Sequence, residues 1–154
     1  MGKEKIPIAG DHMAYDLKSH IIEYLIRKGI DPIDLGTYSK QRVDYPLYSK
    51  AVAEKISQGK FERGIVLCGS GIGVSIAANK FPGVRAALVH DIQSAKMTKK
   101  HNNPNIICLG AGVLDSEKAI QIIETWLEEE FDGGRHQNRL EQINSYENNI
   151  SNTD

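Results

Sequence analysis

Gly64-Ile65-Val66-Leu67-Cys68-Gly69-Ser70-Gly71-Ile72-Gly73-Val74-Ser75-Ile76-Ala77-Ala78-Asn79-Lys80 is the stretch whose reading decides the fold. Residues 64–68 form a short apolar block rich in β-branched side chains, as a buried parallel strand requires. From about Gly73 the residues become small and apolar, with Ala77 beside Ala78, which predicts a helix packed closely on a sheet. Gly69, Gly71 and Gly73 stand at alternate positions between the two, so the backbone can turn sharply and bring several N–H groups close to a ligand. A loop that ends in a helix N-terminus offers an anion both donors and a positive dipole end. Cys68 sits at its mouth as a potential base or nucleophile.

Two nucleotide motifs do not fit this stretch. The dinucleotide pattern G-x-G-x-x-G needs Gly where the chain has Val74, and it normally follows a first strand, not roughly the third. The P-loop pattern needs Gly-Lys-Ser/Thr after four intervening residues, which is absent.

Outward from the loop, strands and helices alternate. Residues 5–10 read as a first strand that ends at Asp11-His12. Residues 15–28 read as an amphipathic helix with Leu17, Ile21, Ile22, Leu25 and Ile26 inward and Gly29 as its stop. Residues 30–36 form a second strand, placed at an edge by Pro32, and a helix follows from Pro46 to about Gln58. Beyond the central unit come a strand at 84–90, a helix at 92–100, a strand at 105–110 containing Cys108, and a helix at 117–130 capped by Ser116. A polar, weakly helical stretch then runs to about Tyr146, and the Asn- and Ser-rich residues 147–154 read as disordered. Five such alternations predict an α/β fold: a five-stranded parallel, Rossmann-like sheet in three α/β/α layers, one domain over residues 1–146. Ligands of such sheets bind at strand carboxyl ends, where the connection direction reverses. Asp11, His12, Cys68 and the glycine loop all fall there.

Composition narrows the function classes. The 154 residues suit one core, and a formal net charge of −1 offers no global field for nucleic acid or an anionic membrane. Two cysteines without a signal-like leader read as reduced thiols in the cytosol, and no apolar run approaches membrane-spanning length.

Gly10-Asp11-His12, Asp44-Tyr45-Pro46, Cys68-Gly-Ser-Gly-Ile-Gly73, Ala77-Ala-Asn-Lys80, His101-Asn102-Asn103 and Gly133-Gly-Arg-His-Gln-Asn-Arg139 together resemble the ribose-5-phosphate isomerase B family, which includes galactose-6-phosphate and allose-6-phosphate isomerases. The resemblance covers residues 5 to about 146. It implies aldose–ketose isomerisation of a sugar phosphate without metal or organic cofactor, in a homodimer or dimer of dimers with shared active sites. It also implies that the first and third strands are neighbours.

The residues suit that chemistry. Moving a carbonyl between C1 and C2 needs a base and donors aimed at the enediolate oxygens. Cys68 would be the base, and the N–H groups of Gly69, Ser70, Gly71, Ile72 and Gly73 an anion hole. The Ser70 hydroxyl would shuttle a proton. By the resemblance, His101 opens the sugar ring, Asn102 binds a hydroxyl, and Arg135 and Arg139 hold the phosphate with His12. Asp11 would bind a hydroxyl, cap a helix, or both. One departure bears on substrate choice: many ribose-5-phosphate members carry Arg two residues after the glycine that closes the fifth strand, and here that residue is Gly112.

Plainer readings compete at each position. Cys68 would otherwise be a small buried hydrophobe, as Cys108 is expected to be. His101 alone would cap a helix C-terminus. Arg135 and Arg139 alone would be a solvated helix face. His136 faces either phosphate or a neighbouring subunit. A hexose 6-phosphate isomerase, a non-catalytic phosphosugar-binding module and a cysteine nucleophile enzyme are the rival functions.

Overall fold

The computed structural model describes residues 2–151. Five parallel strands, β1 (Lys5–Gly10), β2 (Asp31–Asp34), β3 (Gly64–Cys68), β4 (Ala86–Leu88) and β5 (Ile106–Gly110), lie in the order β2-β1-β3-β5-β4. The helices are α1 (Tyr15–Arg27), α2 (Tyr45–Ser57), α3 (Ile72–Ala78), α4 (Ile92–Asn102), α5 (Ser116–Glu128) and α6 (Arg135–Ser151), with a short 3-10 turn at His12–Ala14.

Alternation along the strands sorts side chains onto two faces. Ile6, Ile8, Ile65, Leu67, Ile107 and Leu109 pack with α1, α5 and Ala95 of α4. Ala9, Val66, Cys68, Ile106 and Cys108 pack with α2 and α3 on the other. This is the three-layer α/β/α arrangement expected, with β1 beside β3 and Pro32 in an edge strand. The chain leaves β1 toward β2 and leaves β3 in the opposite direction, so the reversal lies between the carboxyl ends of β1 and β3.

Several boundaries differ from expectation, each for a local reason. The edge strands β2 and β4 are shorter than predicted, because each has a ladder partner on one side only. Asp115, not Ser116, caps α5: its backbone is extended and its carboxylate accepts from Lys118 N at 2.8 Å. Ile26 is exposed, since it lies past the edge of the stripe set by Leu17, Ile21 and Leu25. Asp44 occupies the N-cap position of α2 but makes no side-chain cap bond. Residues 147–151, read as disordered, continue α6, which Glu147 ties to the 83 turn by accepting from Gly83 N at 2.9 Å. The rest of that expected tail, 152–154, lies outside the described residues.

Lys18 of α1 is 2% exposed and donates to Asp34 Oδ1 at 2.6 Å and to the Thr37 carbonyl at 2.7 Å. This buried cation pins the start of the polar loop at 37–44, which leads over the carboxyl end of β1. Among the described residues, no helix is long and apolar enough to cross a membrane.

Candidate active site

The β3–α3 loop is held by close backbone packing. Gly71 takes φ +76°, and a Cβ there would stand 2.9 Å from the Leu109 carbonyl carbon, so both its conformation and its space require glycine. Ala111 N and Gly112 N donate to the Cys68 and Gly69 carbonyls at 2.9 and 2.8 Å, strapping the loop to the end of β5. At Gly73 a Cβ would come within 2.5 Å of the Tyr45 ring, which lies directly on the first turn of α3.

Cys68 is 4% exposed, with its sulfur directly under this loop. Gly71 N–H donates to Sγ at 3.1 Å, a contact that a sulfur anion accepts more strongly than a thiol does. Ile72 N–H donates to Ser70 Oγ at 3.1 Å. Two of the five N–H groups expected to face a ligand therefore already serve the loop's own sulfur and hydroxyl.

Across from it, Asp11 is buried, and its carboxylate accepts from Met13 N at 3.0 Å as the cap of the 3-10 turn. The Met13 side chain lies beside Gly69. His12 Nδ1 accepts from Val43 N at 3.2 Å, which leaves Nε2 to carry the proton of the neutral ring. A cavity of about 660 Å³ opens here, lined by Asp11, His12, Arg42, Asp44 and Tyr45 among others. Arg42 and Tyr45 were not assigned to the site from sequence. Tyr45 stands in the Asp44-Tyr45-Pro46 segment already quoted, whereas Arg42 lies in a polar loop with no pattern to mark it.

The remaining predicted residues gather elsewhere. His101 stands in the last turn of α4, and its ring stacks on His136 of α6 with centroids 4.2 Å apart and planes 13° apart. Burial, then the charges of His101, Arg135 and Arg139, hold the His136 imidazole below its ordinary pKa, against an opposing pull from Asp132. Arg135 and Arg139 are exposed on α6 beside this pair. His101, Asp132 and His136 bring ligating atoms within 4.8 Å of one another.

These two groups lie at opposite ends of the sheet. Cys68 is in register with Gly110, the last residue of β5, while His101 and Asn102 precede Ile106, its first. The four residue steps of β5 alone separate them by roughly 13 Å at ~3.3 Å per residue. Within one chain, Asp11, His12 and residues 68–73 form one group, and His101, Asn102, Arg135 and Arg139 another.

Cys108 is fully buried in β5, and burial followed by the Cys68 charge raises its thiol pKa. That matches its reading as a packing residue.

Residues 6–143 match the family model described as Ribose/Galactose Isomerase. A ribose-5-phosphate isomerase B of Escherichia coli (strain K12) is 41% identical over 94% of this chain and 97% of its own length. A D-erythrulose-4-phosphate isomerase of Pectobacterium atrosepticum is 43% identical over 92% and 94%. The solved structure of Clostridium thermocellum ribose-5-phosphate isomerase B superposes with a TM-score of 0.92 at 44% identity, covering 95% of this chain and 99% of that one. With six sequence segments in order, the same sheet and full-length relatives, the chain belongs to the ribose/galactose isomerase family.

Proposed function

We propose that the chain is an aldose–ketose isomerase that interconverts D-ribose 5-phosphate and D-ribulose 5-phosphate in the cytosol, as a homodimer or dimer of dimers. The observation that carries this reading is the Cys68 sulfur held under a glycine loop at the β1/β3 reversal, with a peptide N–H already aimed at it. Cys68 takes the proton from C2 of the open-chain aldose. The electron pair moves into an enediolate, whose oxygens are met by loop N–H groups not already engaged within the loop. The Ser70 hydroxyl passes a proton between O1 and O2, and the sulfur returns its proton to C1 to give the ketose. No electrons leave the sugar, so the step needs no external oxidant or reductant, and the loop N–H groups take the charge-stabilising part at the enediolate oxygens.

The separation of the two half-sites supports a shared active site. His101, Asn102, Arg135 and Arg139 of one copy would face Asp11, His12 and Cys68 of the other, with His101 opening the furanose ring and the arginines holding phosphate alongside His12. Apolar side chains left exposed on α3 (Ile72, Ile76) and α6 (Ile143, Tyr146) supply surface for such a pairing.

A second reading concerns sugar length. Gly112 removes a cation many family members carry, and one relative of similar identity is named for erythrulose 4-phosphate. The same chemistry on a four-carbon or a six-carbon sugar phosphate is the alternative. A turnover panel of ribose 5-, erythrulose 4-, allose 6- and galactose 6-phosphates decides between them. The highest kcat/KM should fall on ribose 5-phosphate, and no turnover of any of the four would overturn the isomerase reading.

A further inference from the structure

At the amino-terminal end of the sheet, away from the glycine loop, lies a second and larger cavity of about 1180 Å³. Its wall carries five cations, Lys5, Lys60, Arg63, Arg85 and Lys99, against two carboxylates, Glu4 and Glu62. One carboxylate is already engaged: Glu4 takes Arg63 in a two-pronged pair at 2.6 and 2.7 Å. Among the described residues Arg85 and Lys99 form no direct ion pair, although the carboxylate of Glu147 acts on Arg85 and that of Glu4 on Lys99 from farther off. The two cations are held by neutral acceptors instead. The Arg85 guanidinium donates to the Asn103 carbonyl at 2.8 Å, and Lys99 Nζ donates to Asn103 Oδ1 at 2.9 Å.

Both cations are half-buried, and both are electrostatically uncomfortable. Burial lowers the pKa of each; at Arg85 the charge of Glu147 opposes this, and at Lys99 the neighbouring charges of Arg63 and Arg85 lower it further, with Glu4 opposing. Converging like charges cost stability unless something of opposite sign comes between them. A fork-shaped guanidinium beside a mobile ammonium is the donor set that suits a phosphate group, the one pairing two oxygens and the other acting as a point charge. Phe61 adds an apolar wall, and the volume leaves room for a molecule larger than inorganic phosphate.

We propose that this cavity is a second anion site, distinct from the isomerase site, that takes a small phosphorylated molecule on Arg85 and Lys99. The site is wired to the catalytic half-site. Asn103, which both cations grip, is the left-handed C-cap of α4 at φ 42°, and the two residues before it are His101 and Asn102. Arg85 Nε also donates to the Asn102 carbonyl at 3.3 Å. An anion that draws Arg85 and Lys99 inward acts on the last turn of α4, where the ring-opening histidine stands.

The test is equilibrium dialysis of inorganic pyrophosphate against the full chain and against Lys99→Gln, Arg85→Gln and Arg139→Ala. The full chain should bind in two classes. One class should weaken about tenfold or more in Lys99→Gln and in Arg85→Gln and be untouched by Arg139→Ala. Lys99→Arg, which keeps the charge, should retain it. If Arg85→Gln fails to fold, Lys99→Gln decides alone, since it removes that charge and leaves the bond from Arg85 to the Asn103 carbonyl in place. A single class that disappears with Arg139→Ala and ignores Lys99→Gln overturns the proposal, as does absence of pyrophosphate binding. Loss of only the Arg139-dependent class leaves this site standing and counts against the phosphate clamp of the isomerase reading.

Discussion

Two inactive chains should rescue one another. Cys68→Ala removes the base proposed for one half of a shared site, and His101→Ala removes the ring-opening group proposed for the other. Each variant made alone should lose ~10²–10⁴ in turnover, the range for a positioned acid or base. In one chain these residues are separated by at least the length of β5, roughly 13 Å, so no substrate molecule spans them there. A two-fold dimer that pairs unlike halves makes two sites, each from one chain's loop and the other chain's helix ends. In a dimer of one Cys68→Ala chain and one His101→Ala chain, one site carries both lesions and the other carries neither. The heterodimer should therefore regain roughly half the wild-type turnover, at least ~50-fold above either parent. Co-expression with two different affinity tags, purification over both, and a coupled assay with ribose 5-phosphate measure it. Doubly tagged heterodimers as inactive as their parents would refute the shared site.

Three further outcomes follow from the geometry. In the native protein a small thiol reagent should modify Cys68 alone and be slowed by sugar phosphate, while Cys108, fully buried with its thiol pushed up, reacts only after unfolding; two fast thiols by mass spectrometry would contradict this. Lys18→Met should cost about 1–3 kcal/mol in urea unfolding, because the Thr37 carbonyl loses its buried donor, and a change below about 0.5 kcal/mol would show that the cation does not hold the loop. Gly112→Arg should raise the kcat/KM ratio of ribose 5-phosphate over hexose 6-phosphates; its Cβ would sit 3.0 Å from the Gly69 carbonyl, so the loop must yield by a few tenths of an ångström, and an unchanged ratio would remove Gly112 from sugar selection.

The alternation of apolar blocks with amphipathic stretches, punctuated by Gly29 and Gly71, determines the α/β class from residue order alone. These signals are local: side-chain periodicity and backbone permissiveness act within a few residues of where they are written. The same holds for the glycine loop and for Cys68, since a strand end, a turn and a helix start are contiguous in sequence. The extent of α6 was not legible, because a distant bond from Glu147 to the 83 turn holds a helix that composition alone reads as disordered. Tertiary structure alone decided which site residues meet. It set His101 on His136 and brought Arg42 and Tyr45 to Asp11 and His12. It also put the two halves at opposite ends of β5, because strand direction and sheet order, not proximity in sequence, fix which end of the sheet a residue reaches.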